Sequence, residues 1–192
     1  MVKAPKESRG NEEYRPSRKL TEYFSLRKSN RKTKMQVLRE KQKSLENYLR
    51  NETEDGLECR LTENKGRSVF ATRNFEKDSF VVEYSGDFLS LLEANQREEH
   101  YARDETTGCY MYYFKYKDRT FCIDATQETG RLGRLINHSR TSSNLYTKSI
   151  LVDGLPRLVL LARQNIKKGQ ELFYDYGDRS RESIKYHPWL KE

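Results

Sequence analysis

A chain of 192 residues, 34% hydrophobic and 34% charged, has room for one domain of ordinary size and a tail, around a modest core rich in tyrosine (13, against 8 Phe and 1 Trp). No run approaches 18 apolar residues and no charged-then-apolar leader opens the chain, so neither a membrane span nor a secretory signal is expected, and the protein reads as soluble and intracellular. The net charge of +8 is segregated: residues 1–50 carry 15 Lys/Arg against 6 Asp/Glu, and residues 51–192 carry 22 against 23.

Residues 1–32 lack apolar periodicity and hold Pro5 and Pro16, so a flexible basic N-terminal tail is expected. It is either a solvated tail or an arm that grips a nucleic-acid-coated partner through phosphate contacts and counterion release. One stretch within it stands apart, "SRKLTEYFSLRK" (Ser17–Lys28). From about Lys34 to Arg50, Met35, Leu38, Leu45 and Leu49 recur at helical spacing, predicting a helix that enters the domain, within an N-flanking helical segment 33–56.

Short strands follow: Leu57–Leu61, Val69–Ala71, and "FVVEYSGDFLS" bending at Gly86. Ser90 to Arg103 reads as a helix, with Ser90 as N-cap and Glu93 in its first turn. "CYMYYFKY" alternates as a strand and pairs with "RTFCIDA" through a turn at Lys117-Asp118. "LPRLVLLARQNI" and "GQELFYDYG" give further short strands, separated at Lys167–Gly169. The fold class is therefore mainly β with short helices.

Cys59, Cys109 and Cys122 are spaced too widely for a C-x2-C pair, so neither a disulfide scaffold nor a structural zinc is expected, and no metal is assigned. No phosphate-loop pattern is present. The turn "NKGRSVFAT" (Asn64–Thr72) is by itself a plain hairpin turn. His138 lies in "GRLINHS" without a partner at ligand spacing, and a hydrogen-bonding structural role is preferred over a general base. Tyr110, Tyr112 and Phe114 read as a packed face. Tyr174 and Tyr176 flank Asp175 and, by alternation, would be one core and one surface residue.

In order, K-G-R (Lys65–Arg67), F-V-V-E-Y-x-G (Phe80–Gly86), C-Y-M-Y-Y-F (Cys109–Phe114), G-R-L-I-N-H-S (Gly133–Ser139) and E-L-x-Y-D-Y-G (Glu171–Gly177) resemble the SET-domain lysine methyltransferases. The resemblance implies a SET-domain fold of small sheets around a pseudoknot, in which the N-H-S segment and the chain before Y-D-Y thread through one another. It also implies a SET domain over 57–178 and a C-flanking segment over 179–192. "RKLTEYF", "RKSNRKTK", "GCYMYYF", "IDATQETGRLGRLINHS", "YDYGDRS" and "HPWLK" narrow the resemblance to the PR-Set-type histone H4 lysine-20 monomethyltransferases, over about Ser17 to Glu192. As in that family, the zinc-binding cysteine segment that follows many SET domains is missing. One departure is Ser68, where the family usually has glycine, which puts the geometry of that turn in question.

The resemblance implies S-adenosylmethionine as cofactor, held by Lys65, Gly66, Arg67, Tyr110, Asn137, His138 and Trp189. It implies Tyr176 beside the transferring methyl, with Tyr84, Cys109 and Tyr174 lining the substrate-lysine channel. The implied partner is the nucleosome: the basic H4 tail, tolerated by carboxylates such as Asp178 or Glu128, and DNA gripped by the basic arm. Nuclear, chromosomal localisation and a role in transcription and the cell cycle follow, and a monomer is expected. Leu20, Tyr23 and Phe24 resemble a replication sliding-clamp docking motif, and the flanking charges resemble a clamp-dependent ubiquitin-ligase signal. Two rivals stay open: a non-catalytic SET-like nucleosome-binding module, and a SET enzyme acting on a non-histone lysine.

Overall fold

The computed structural model describes residues 31–63, 65–103, 108 and 110–177. Helix α1 spans Lys34–Arg50. Thr33 and Gln36 cap its start reciprocally, each side chain accepting the other's amide at 3.2 and 2.9 Å. Its end is a Schellman closure: Thr53 N–H donates to the Tyr48 carbonyl, Glu52 N–H to that of Leu49, and Glu52 takes the left-handed conformation at φ 48°. The helix therefore covers the Lys34–Arg50 stretch that its apolar spacing predicts and stops short of the flanking segment's end at 56. Of the four apolar residues at helical spacing, Leu49 is buried and Leu45 half-buried, whereas Met35 and Leu38 are exposed. Spacing defines a face, but burial needs a surface opposite it.

Among the described residues the β elements form four small sheets. Strands β1 (Leu57–Thr62) and β2 (Gly66–Ala71) make an antiparallel hairpin. Ser68 sits within β2, completely buried, so the expected question about turn geometry does not arise there: the turn lies before Gly66. Strands β3 (Phe80–Glu83), β9 (Leu155–Ala162) and β8 (Leu145–Val152) form a second sheet with β9 central. Along β9, Leu158, Leu160 and Ala162 join the main core, while Val159 and Leu161 pack with Leu49, Ile150 and Val152. A strand covered on both faces reads as an unbroken apolar run, which is how "LVLLA" appears in the sequence.

Strand β8, eight residues long, has no counterpart among the expected elements. It joins β9 through Asp153-Gly154, at φ 50° and 83°, the turn whose twist suits a two-residue hairpin. Strands β4 (Asp87–Ser90), β6 (Arg119–Asp124) and β5 (Met111–Tyr116) form the third sheet. Helix α2 (Leu91–Tyr101) lies against it, opened by the capping box between Ser90 and Glu93. Its Arg97 donates to Asp87 and to the buried Asp124, and Tyr101 adds a second donor to Asp124. The fourth sheet, β7 (Asn137–His138) with β10 (Phe173–Tyr174), is parallel and only two residues long.

Candidate active site

The short parallel pair is where two distant segments cross. Phe173 lies opposite Asn137 and Tyr174 opposite His138, and Ser139 N–H donates to the Tyr174 carbonyl at 3.2 Å. Buried Asn144 closes the same loop from its far end. Its amide Nδ2 donates to the Glu171 carbonyl (2.7 Å), its Oδ1 accepts from Phe173 N–H (2.9 Å), and its backbone N–H donates to the Phe173 carbonyl (3.1 Å). On the opposite side, Leu172 N–H donates to Val69 and Ala71 N–H to Gln170. Residues 170–174 thus pass between β2 and the 137–144 loop, which is the expected threading. Gly133 opens that loop where a Cβ would collide with the Glu83 carbonyl, so the three-residue turn Gly133–Leu135 can approach β3 only with glycine there.

Four tyrosines gather at the crossing. Ring centroids are 4.6 Å apart for Tyr174–Tyr176, 6.0 Å for Tyr174–Tyr112, 6.5 Å for Tyr174–Tyr84 and 5.5 Å for Tyr84–Tyr112. Tyr84 and Tyr174 are buried; Tyr112 and Tyr176 are half-buried. The expected split of Tyr174 and Tyr176 between core and surface does not hold. The strand ends at Tyr174, the Asp175 carboxylate accepts Gly177 N–H, and the bend swings Tyr176 back beside Tyr174.

Hydrogen bonds orient the ring edges. Tyr84 donates to the Tyr110 carbonyl (2.9 Å), Tyr176 to the Ile136 carbonyl (2.8 Å), and Tyr112 shares a 3.1 Å bond with the Thr147 hydroxyl. His138 Nδ1 accepts Tyr176 N–H at 3.0 Å, a structural hydrogen bond of the kind expected for that residue. Burial, with Tyr176, Tyr84 and Tyr112 alongside, raises the Tyr174 phenol well above its ordinary value. Burial also raises Tyr112; the Thr147 bond opposes that shift and the Asp175 charge adds to it. These two phenols stay protonated at neutral pH, so neither can serve there as a phenolate base.

Of the residues assigned to a cofactor, Lys65, Arg67 and Asn137 lie on the flank of the crossing nearer β2. Asn137 Nδ2 donates to the Ser68 hydroxyl (2.8 Å) and to the Arg67 carbonyl (3.2 Å). Lys65 Nζ lies 4.1 Å from the Phe173 ring centroid. Arg67 and buried Arg134 both donate to Glu128 at 2.8 Å, and the Arg134 guanidinium lies 3.8 Å over the Tyr110 ring. Glu128, one of the carboxylates expected to tolerate a basic tail, is shared by two guanidinium groups. Gly66 takes φ 69° with open space where a Cβ would stand. These cations, with the amide of Asn137 and an aromatic face, match a zwitterion joined to an adenosine, so the donor set fits S-adenosylmethionine.

Leu20, Tyr23, Phe24, Cys109, Asp178 and Trp189 lie outside the described residues. The sequence reading places Tyr112 only on a packed face and does not single out Thr147, Asn144 or Arg134. Tyr112 carried a signal in the Tyr110–Tyr112–Phe114 alternation, which places it on an inward face; the other three are tied to the site only by long-range hydrogen bonds and packing.

Comparison with known proteins then identifies the architecture. The family described as SET domain matches residues 66–177. The chain is 51% identical over 175 residues to "N-lysine methyltransferase KMT5A-A" of Danio rerio, covering 91% of this chain and 51% of that protein. It is 54% identical to "Histone-lysine N-methyltransferase Set8" of Drosophila melanogaster, over 91% of this chain and 25% of that protein. Against "Histone-lysine N-methyltransferase set-1" of Caenorhabditis elegans it is 47% identical, over 90% of this chain and 72% of that protein. The crystal structure of CpSET8 from Cryptosporidium superposes with a TM-score of 0.68 at 41% identity, covering 74% of this chain and 67% of that one. The chain thus spans about half the length of the fish relative and a quarter of the fly one.

Proposed function

The chain belongs to the SET-domain family, and from that premise we propose that it is a protein-lysine N-methyltransferase that adds one methyl group to lysine 20 of histone H4 in nucleosomes. The observation that carries the proposal is the tyrosine cluster at the β7–β10 crossing, beside a cationic flank suited to S-adenosylmethionine. The names of the relatives supply the reaction class, and the buried phenols supply a reason for it.

A free lysine amine has a pKa of about 10.4 and is protonated at neutral pH. A narrow aromatic channel strips water from the ammonium and favours the neutral amine, which alone can attack. The cofactor, when bound, supplies a methyl group on a positively charged sulfur. Lys65 and Arg67 would hold its carboxylate, with Arg67 exchanging part of its bond to Glu128, and Asn137 would hold its polar end. Tyr176, fixed by Ile136 and His138, would orient the amine. Because desolvation already favours the neutral amine, its proton can leave to water before transfer, and the protonated Tyr174 and Tyr112 phenols are not the groups that take it. Orientation of two reactants is worth on the order of 7–11 kcal/mol of barrier.

The basic N-terminal segment supports nucleosomal DNA as the docking partner, and with it a nuclear, chromosomal location. The test is incubation of the protein with nucleosomes and labelled S-adenosylmethionine, followed by mass spectrometry of the histones. A single methyl on lysine 20 of H4 is expected. Nucleosome binding without label would favour the non-catalytic module, and label elsewhere would favour another lysine.

A further inference from the structure

Tyr174 stands on a strand of two residues, so its backbone ladder is minimal and its ring depends on its neighbours for a fixed position. Those neighbours are not equivalent. Tyr176 belongs to the same segment and moves with it. Tyr84 is held through the Tyr110 carbonyl, just ahead of β5. Tyr112 is fastened at both ends: its backbone pairs with Ile123 of β6, and its hydroxyl lies 3.1 Å from the Thr147 hydroxyl on β8, in a different sheet. Its ring is tilted by 44° against Tyr174 and by 50° against Tyr84, in contact range of both.

We propose that Tyr112, anchored by Thr147, is a positioning residue that fixes the spacing of the Tyr174 and Tyr84 rings and so limits how many methyl groups the site accepts. The inference rests on the methyltransferase reading above. Whether a second methyl fits beside the amine is decided by a volume about that of one methyl group, and close-packed interiors transmit displacements of that size. If the Tyr112 ring is withdrawn, Tyr174 can relax toward the space it leaves, opening room on the side of the amine.

The experiment compares wild type, Tyr112→Phe, Tyr112→Leu and Thr147→Val on nucleosomes, reading mono- and dimethyl products by mass spectrometry with separate kcat and KM. Tyr112→Leu should raise the ratio of second-transfer to first-transfer rate about tenfold, whatever its effect on the first transfer alone. Tyr112→Phe and Thr147→Val each remove the 3.1 Å anchor while keeping the ring, and both should shift the ratio in the same direction as leucine, by less. A merely structural role would lower yield or thermal stability and leave the ratio alone. A folded Tyr112→Leu with the wild-type ratio overturns the inference. If that variant does not fold, Thr147→Val decides, and an unchanged ratio there overturns it equally. Absence of any transfer by the wild type would instead overturn the methyltransferase reading.

Discussion

The imidazole of His138 accepts the backbone N–H of Tyr176 at 3.0 Å while the two rings meet edge to face, 5.0 Å between centroids. A residue of one crossing segment thereby sets where a residue of the other stands. Tyr176→Phe removes only the hydroxyl that donates to Ile136 and should keep the fold, at a cost of about 1 kcal/mol. Activity on nucleosomes should fall at least a hundredfold with cofactor binding retained. Near-normal turnover would remove Tyr176 from its role.

Tyr174→Phe tests the product limit directly. The wild type is expected to stop at one methyl, because the Tyr174 hydroxyl occupies volume and can anchor a water beside the amine. Such a water is worth roughly 0–2 kcal/mol, and about 1.4 kcal/mol is a tenfold change in rate. The variant should yield dimethyllysine without losing the first transfer. A mass-spectrometric time course in which the variant also stops at one methyl would refute this.

Ser68 is buried, and its hydroxyl accepts from Asn137 and lies 3.2 Å from that of Thr62. Ser68→Gly would leave the Asn137 amide short of one partner and loosen the strand, costing roughly 1–3 kcal/mol in urea unfolding. An unchanged midpoint would show that the hydroxyl does not hold Asn137.

Asp124 gives an acid-sensitive fastening between α2 and its sheet. Burial alone would raise its carboxyl, but hydrogen bonds from Arg97, Thr126 and Tyr101 outweigh it and hold the group below its ordinary value. A carboxyl depressed in the fold stabilises fully above the ordinary carboxylate range and loses that contribution as pH falls through its folded value. Asp124→Asn should therefore lower stability at neutral pH by roughly 1.5–3 kcal/mol and flatten its decline in acid. Thermal melts of both proteins from neutral to strongly acid pH test the sign; parallel curves would contradict it.

What could be read in advance followed local chemistry. Ser90 with Glu93, and the Lys117-Asp118 turn, appear where their side chains and backbone preferences require. Strand β8 was missed because "LYTKSILV" mixes polar and apolar residues without clean alternation, although the following Asp153-Gly154 is a hairpin signal. The exposed start of α1 and the meeting of Tyr174 with Tyr176 depend on what lies opposite and on a bend, neither of which is encoded in spacing. The crossing itself was available only through family resemblance. No local rule pairs residues 137–138 with 173–174, and the asparagine that clamps them, Asn144, carries no local pattern of its own.

That crossing also fixes when function can appear during synthesis. The bonds that residues 137–139 and 144 make across the crossing cannot form until 171–174 have been made, and a ladder two residues long has little persistence unless the rest of the domain is in place. A nascent or truncated chain ending before Phe173 can contain most of the core and still lack the crossing and half of the tyrosine cluster. Competence is then acquired in one late step, and any cut between the two segments that lets them separate should abolish it outright instead of weakening it.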